Sequence, residues 1–216
     1  MRDNLTKVTT KAPTQMSKFL FGSGGHSKVL IDIAQASQTE IAALFDDNSK
    51  LWGTDFHSLP VLGGKDKIDL NSQIFISIGA NHIRRKIALH FQGQGHSFFS
   101  LLHPSAQISP SADIAEGTCV MPGAIINADV RIGAHCIINT AATVDHDCVI
   151  EDFVHIAPGV NLCGNISIGE GSIIGVGASI IPGIKIGKNC TICAGAVVLR
   201  NVPDGSKVIG NPGRII

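Results

Sequence analysis

From Ile108 to Val198 every sixth residue is Ile, Leu or Val, sixteen times without a gap. Four residues after each comes a second selected position, always small or apolar, as at Ala112, Thr118, Ala124, Val130, Cys136, Ala142 and Cys148. A helix repeats at about 3.6 residues and a strand at about 2; neither yields six. A strict six is the mark of a hexapeptide solenoid. Each hexad makes one short strand and a turn, and three hexads close a triangular coil. The pattern predicts that the branched residue fills the interior and that the smaller one lets the chain turn tightly.

Composition agrees with a narrow interior. The chain has 24 Gly, nine Phe, one Trp and no Tyr, and a large globular core would normally use more aromatic area. Seventeen acidic and 17 basic residues balance, which argues against a nucleic-acid footprint. All six Cys fall in the repeat. Cys136, Cys148 and Cys190 take the small inward position, where a thiol acts as a compact hydrophobe, and Cys190/Cys193 is a lone CxxC inside a hexad. Reduced structural thiols in a cytoplasmic protein, with no metal, are the expectation. No apolar run approaches membrane-spanning length, so no membrane insertion is expected. Residues 1–17 carry Lys7 and Lys11 but no apolar stretch, and are expected to be a disordered tail rather than a secretory signal; Met16 is an alternative start.

Residues 18–104 read as a small α/β domain. Phe19-Leu20-Phe21 is a buried strand ending in the turn Gly22-Ser23-Gly24-Gly25-His26, and Val29, Leu30, Ile33 and Ala34 then follow helical spacing. Ile41 to Phe45 is a second strand closed by Asp46-Asp47-Asn48. Ile74 to Ile78 is a third, ending at Gly79, with Ile83, Ile87 and Leu89 on a helix after it. Strands alternating with helices imply a parallel, Rossmann-like sheet. Residues 105–216 are the solenoid, about five coils. At roughly 4.8 Å per coil its length is on the order of 25 Å. An isolated coil stack exposes apolar surface, so a symmetric oligomer is expected.

Two places carry chemistry. The glycine turn follows a strand and opens a helix, an arrangement whose backbone N–H groups suit a phosphate or pyrophosphate. Asp46 and Asp47 end the next strand, where a carboxylate accepts ribose or base hydrogens. Ser27 stands where a full GxGxxG has its third glycine. In the repeat, Val144-Asp145-His146-Asp147-Cys148 sets an imidazole between two carboxylates, and His155 follows half a coil later. Imidazole is the natural general base near neutral pH. Adjacent residues of an extended strand point opposite ways, so Asp147 reaches His146 only at a bent corner.

The glycine turn, the run Ile78-Gly79-Ala80-Asn81-His82-Ile83-Arg84-Arg85-Lys86-Ile87, and a solenoid carrying both the Val144–Ile150 segment and Val154-His155-Ile156-Ala157-Pro158-Gly159 together resemble the PglD/NeuD family. These are bacterial acyltransferases of nucleotide-linked sugars and sialic acids, and the resemblance covers roughly residues 18–216. It implies a left-handed parallel β-helix binding acetyl-CoA at a homotrimer interface, and an N-terminal domain binding the nucleotide-sugar. By the same resemblance His146 is the general base and Asp147 its acidic neighbour. His155, Asn139, Val176 and Ala194 meet acetyl-CoA. Gly22, Ser23, Gly24, Gly25, His26, Asp46, Asp47, Gly79 and Asn81 meet the substrate. The implied reaction is N-acetylation of a UDP- or dTDP-linked 4-amino-4,6-dideoxysugar. O-acetylation of a sialic acid is the nearest enzymatic alternative. A zinc lyase using His135, His146 and His155 and a non-catalytic scaffold are the others; ligands stacked on one corner would recur once per coil of three hexads, which those three do not.

Overall fold

The computed structural model describes residues 16–216, so the tail expected at 1–17 lies almost wholly outside the described residues. Along the chain run β1 (Ser17–Phe21), α1 (Gly25–Ala36), β2 (Ala43–Phe45), a hairpin of β3 (Asp55–Phe56) and β4 (Leu59–Pro60), β5 (Ser72–Ile76), α2 (Asn81–Gly93) and β6 (Ser97–Phe98). Strands β2, β1, β5 and β6 make one parallel sheet in that order. Its central strands are continuous apolar runs, with Leu20, Ile74 and Phe75 fully buried, because parallel strands are covered on both faces.

Helix α2 forms where expected but turns a different face inward. Arg84, Ala88 and Phe91 are buried, whereas Ile83 and Leu89 are exposed. The spacing i, i+4, i+7 selects that stripe, and a charged first member hides it from a hydrophobicity reading.

The solenoid starts earlier than residue 105. Leu101–Leu102 (β7) pairs in parallel with Cys119–Val120, so the boundary expected at 104 falls inside the first coil. The second face stacks six strands, one per coil, against the five coils expected. Strands repeat once per coil without slippage, as in Ile137↔His155↔Ile173↔Thr191 on the first face. Both selected positions of each hexad point inward: Ala124 and Ile126, Ala142 and Val144, and Val160 and Leu162 all lie in one buried column. They sit two residues apart on an extended strand, hence on the same side.

The tight turn is therefore not made by the small residue. It is made by the third residue after the branched one, which takes a left-handed backbone in coil after coil: Gly123, Asp129, His135, Ala141, Asp147, Phe153, Gly159 and Asn165 all have φ between 54° and 69°. Gly, Asn and Asp tolerate this conformation. His135 and Phe153 do not readily, and bulky residues held there are strained by roughly 1–3 kcal/mol each. Their rings stack on each other at 5.2 Å, and Phe98 of β6 meets His135 edge-on at 4.5 Å. This strained corner, between the third and first faces, is where the α/β part docks.

Arg84 locks the docking. Its Nε donates to His135 O at 2.8 Å and Nη2 to Phe153 O at 3.1 Å, both on the solenoid. Nη1 donates to the carbonyls of Ile78 and Gly79, and Nη2 also to Asn81 Oδ1. All five guanidinium N–H groups thus have partners, and none of those partners is a carboxylate. Burial lowers its pKa to about 10, which leaves it charged at neutral pH. Asn81 extends the clamp, donating to Gly171 O and Ser172 O at 3.0 Å.

Candidate active site

The glycine turn lines a cavity of 420 Å³ with Asp46, Asp47, Ser77, Gly79, Ile83 and Ile87. The sequence of the turn explains its shape. Gly22 has φ +110°, a conformation that favours glycine, and Gly24 and Gly25 have nothing within 4 Å of a Cβ position. The N-terminus of α1 receives no side-chain cap, so its N–H groups and its partial positive charge face the cavity. The hydroxyl of Ser23 is buried there without a partner. The absent third glycine is no obstacle: Ser27 is fully buried and donates to Gly22 O at 2.7 Å. Ser77 donates to the same carbonyl at 2.7 Å and to Phe21 O at 2.8 Å. Two hydroxyls therefore pin the turn from below.

The acidic pair is partly committed already. Asp46 accepts the backbone N–H groups of Ser23 and Asn48, each at 2.8 Å, bracing the turn against the end of β2. Burial pushes the Asp47 carboxyl up, but its hydrogen bonds to the Lys65 backbone N–H and to Nζ at 2.7 Å, with the charge of that lysine, together leave its pKa lowered. Gly79 lines both this cavity and a second one of 580 Å³, which Asn81 at the start of α2, Leu89 and Ile173 also help line.

His146 stands in the corner between the second and third faces. Asp147 has φ +60°, so the corner is bent, and its Oδ2 lies 2.8 Å from His146 Nδ1. That hydrogen bond, followed by the charge of Asp145, raises the imidazole pKa above its ordinary value. Asp145 is itself held by Asn127 Nδ2 at 2.9 Å and accepts the His146 backbone N–H. With Nδ1 on Asp147, Nε2 is the ring nitrogen left facing solvent. The ring lies over Gly164, one coil above, where a Cβ would come within 2.6 Å of Cε1 and Nε2.

The residues assigned to acetyl-CoA lie on a different edge. Asn139, Val176 and Ala194 fall in the corner between the first and second faces, and the last two are one coil apart, joined by Gly195 N–H donating to Val176 O. The left-handed positions of this corner include Ala141, Gly159, Gly177 and Gly195. None of these three glycines has an atom within 4 Å of its Cβ position, so the edge presents bare backbone to solvent. His155 is on the first face beside Asn139. Asn139 Oδ1 accepts Thr140 N–H at 2.8 Å, so its amide nitrogen donates to His155 Nε2 at 3.1 Å. This fixes the neutral ring as the Nδ1–H tautomer. Burial, reinforced by Arg84 and His26, lowers its pKa to about 4. Its Nδ1 is buried and turned toward the backbone of Gly79, and His26 Nε2 is buried with no partner.

One chain therefore assembles the glycine-turn cavity but leaves His146 and the edge of Val176 and Ala194 on separate corners. His135 is on the third corner, packed between aromatic rings, so His135, His146 and His155 do not converge as a zinc lyase requires. Sequence reasoning missed Arg84, Ser77 and Gly164. Gly164 was accessible by arithmetic, being three hexads after His146.

A parallel sheet with a glycine-rich phosphate turn, clamped to a hexapeptide solenoid with a carboxylate-held histidine, defines an acyltransferase of activated sugars. Residues 19–91 match the family model of the PglD N-terminal domain, and residues 165–200 match that of the bacterial transferase hexapeptide, six repeats. The fold superposes on a histidine-to-asparagine variant of perosamine N-acetyltransferase from Caulobacter crescentus in complex with CoA and GDP-perosamine. That match has 36% identity and a TM-score of 0.86, covering 95% of this chain and 99% of the other. It also superposes on the acetyltransferase domain of PglB from Neisseria gonorrhoeae in complex with acetyl coenzyme A, with 37% identity, a TM-score of 0.87, and 94% and 100% coverage. GDP-perosamine N-acetyltransferase of Escherichia coli O157:H7 is 29% identical over 208 residues, 90% of this chain and 94% of that one. The chain belongs to the PglD-type family of sugar N-acetyltransferases.

Proposed function

We propose that this protein transfers an acetyl group from acetyl-CoA to the amino group of a nucleoside-diphosphate-linked sugar, in a homotrimer whose active sites lie between subunits. The observation that carries the reading is the pairing of a phosphate-ready turn on one domain with a carboxylate-held imidazole on the other. Relatives named for GDP-perosamine and for UDP-N-acetylbacillosamine widen the expected nucleotides, UDP or dTDP, to include GDP. The 4-amino-4,6-dideoxysugar remains the proposed acceptor. Among the described residues no helix is long and apolar enough to cross a membrane.

In this reading the diphosphate binds the N–H groups of Gly24, Gly25 and His26 and the Ser23 hydroxyl. Asp46 and Asp47 accept from the nucleoside, and Gly79 and Asn81 direct the sugar toward the solenoid. The bare edge of Gly159, Gly177 and Gly195 accepts an extended pantetheine arm against backbone alongside Val176 and Ala194. His146 Nε2 from the adjoining subunit takes the amine proton as nitrogen bonds to the acyl carbon, and the thiolate of CoA leaves. Asp147 holds the ring and stabilises its protonated form. His155 stays neutral and accepts the Asn139 amide N–H, holding that side chain at the coenzyme edge. A screen of GDP-, UDP- and dTDP-linked amino sugars with acetyl-CoA, followed by thiol release, tests this. Turnover of at least one supports the reading, and none with any of them refutes it.

A further inference from the structure

The chain's single Trp lies outside both apolar clusters of the α/β half. Trp52 follows a single 3₁₀ turn, Ser49–Leu51, in the loop after β2. That loop is tied to itself. Asp46 Oδ1 accepts the Asn48 N–H at 2.8 Å, Asn48 Oδ1 accepts the Lys50 N–H at 3.2 Å, and Trp52 Nε1 donates back to Asp46 O at 2.7 Å. Gly53, with φ +75°, then donates its N–H to Val61 O as the chain turns into the hairpin. The indole is thus held by its own N–H and by the backbone on both sides.

The ring is nevertheless 42% exposed. A Cβ on Gly64 would lie 3.2 Å from the ring edge and 3.4 Å from Asp47 Oδ1, so the indole and the second carboxylate of the acidic pair border the same glycine. Lys67 Nζ lies over one face of the ring, 5.4 Å from its centroid. A fixed, exposed aromatic surface therefore stands beside Asp47, just outside the residues that line the glycine-turn cavity. A diphosphate on the turn and a ribose at Asp46 and Asp47 would carry the nucleobase onward to this ring.

We propose that Trp52 is the stacking platform for the nucleobase and makes the site prefer a purine. The inference rests on the reading that a nucleoside-diphosphate sugar binds with its diphosphate on the glycine turn. Every nucleobase has a π-face that stacks on an aromatic side chain, a contact that changes affinity by roughly fivefold to over a hundredfold. The two fused rings of a purine cover more of an indole than a single pyrimidine ring does, and the gain grows with the apolar area covered. Choice of nucleotide thus falls to a residue outside the phosphate turn.

As the sole Trp in a chain without Tyr, Trp52 reports its own contacts by fluorescence. The test is titration of the full chain with GDP and UDP, paired with calorimetry on both nucleotides and on inorganic pyrophosphate. GDP should quench the emission and bind about tenfold more tightly than UDP. Trp52→Ala should weaken GDP about tenfold and UDP about threefold, leaving pyrophosphate binding nearly unchanged. Trp52→Phe keeps a stacking face but loses the donor to Asp46, and should recover most of the GDP affinity. Binding of GDP that leaves the emission unchanged overturns the proposal, as does equal affinity of the wild type for both nucleotides or binding of neither. A Trp52→Phe protein as weak as Trp52→Ala would make the indole a brace for the loop and overturn it too. Transfer to an amino sugar with silent emission would keep the functional reading and sink this one; quenching by GDP without transfer to any amino sugar would do the reverse.

Discussion

The two halves of this molecule place their functional residues by different rules. In the solenoid, position is arithmetic. Stacking once per coil puts Gly164 over His146 and Ala194 over Val176, whatever lies between. In the α/β half, position depends on contacts far apart in sequence. Arg84 reaches 51 and 69 residues along the chain to the carbonyls of His135 and Phe153. The solenoid is thus a ruler, and the α/β half is a part held to it by one buried cation and two strained rings.

Changes in each half should expose that difference. The largest effect belongs to the ruler: His146→Ala should lower kcat by roughly 10²- to 10⁴-fold with modest change in either KM, and the oligomer should persist because the ring is exposed. The clamp comes next. Arg84→Met strands the carbonyls of His135 and Phe153 and should cost about 2–6 kcal/mol, roughly 1–3 for each orphaned acceptor, read as a fall in the denaturation midpoint. Loss of the α/β transition before that of the solenoid would show two separable units; a single unchanged transition would show the clamp to be dispensable.

Within the glycine-turn cavity, Gly24→Val places a side chain in the open space over the turn. It should raise the nucleotide-sugar KM roughly tenfold, the equivalent of about 1.4 kcal/mol, with acetyl-CoA KM nearly unchanged. Equal loss of both would indicate misfolding instead. Asp147→Asn removes the strongest influence holding the His146 pKa up. The base works only when unprotonated, so activity rises with pH through that pKa. The kcat inflection should therefore move to lower pH in the variant, and an unmoved inflection would detach Asp147 from the base.

The smallest change tests the apparent defect in the glycine motif. Ser27→Gly restores the third glycine but removes the hydrogen bond to Gly22 O and adds a glycine to a helix. It should cost about 1–2 kcal/mol and leave the nucleotide-sugar KM alone. A gain in stability would mean that Ser27 is a compromise rather than a pin.

This contrast also explains what could be read from sequence. The hexad pattern specified the solenoid because inward position alone decides which side chains it tolerates, and His146 stood out through its two carboxylates. The left-handed turn position was not legible, because Ala141, His135 and Phe153 occupy it beside the expected Gly, Asn and Asp. Nor was the buried face of α2, whose leading member is a cation satisfied only by carbonyls and an amide from both halves. The first coil was legible, because Leu102 stands six residues before Ile108 and continues the hexad series with Ala106 in the small position.

The central claim is that base and coenzyme edge come from different chains, and mixed trimers test it most directly. His146→Ala removes the base, and Val176→Trp fills the coenzyme edge. Each should be nearly inactive alone. Chains of both kinds, unfolded together and reassembled at equal concentration, should regain about one quarter of the wild-type rate if they mix at random around a threefold axis, because some interfaces then join an intact base to an intact edge. Mixed trimers, verified by mass, that stay as inactive as their parents would contradict the account and return the site to a single chain.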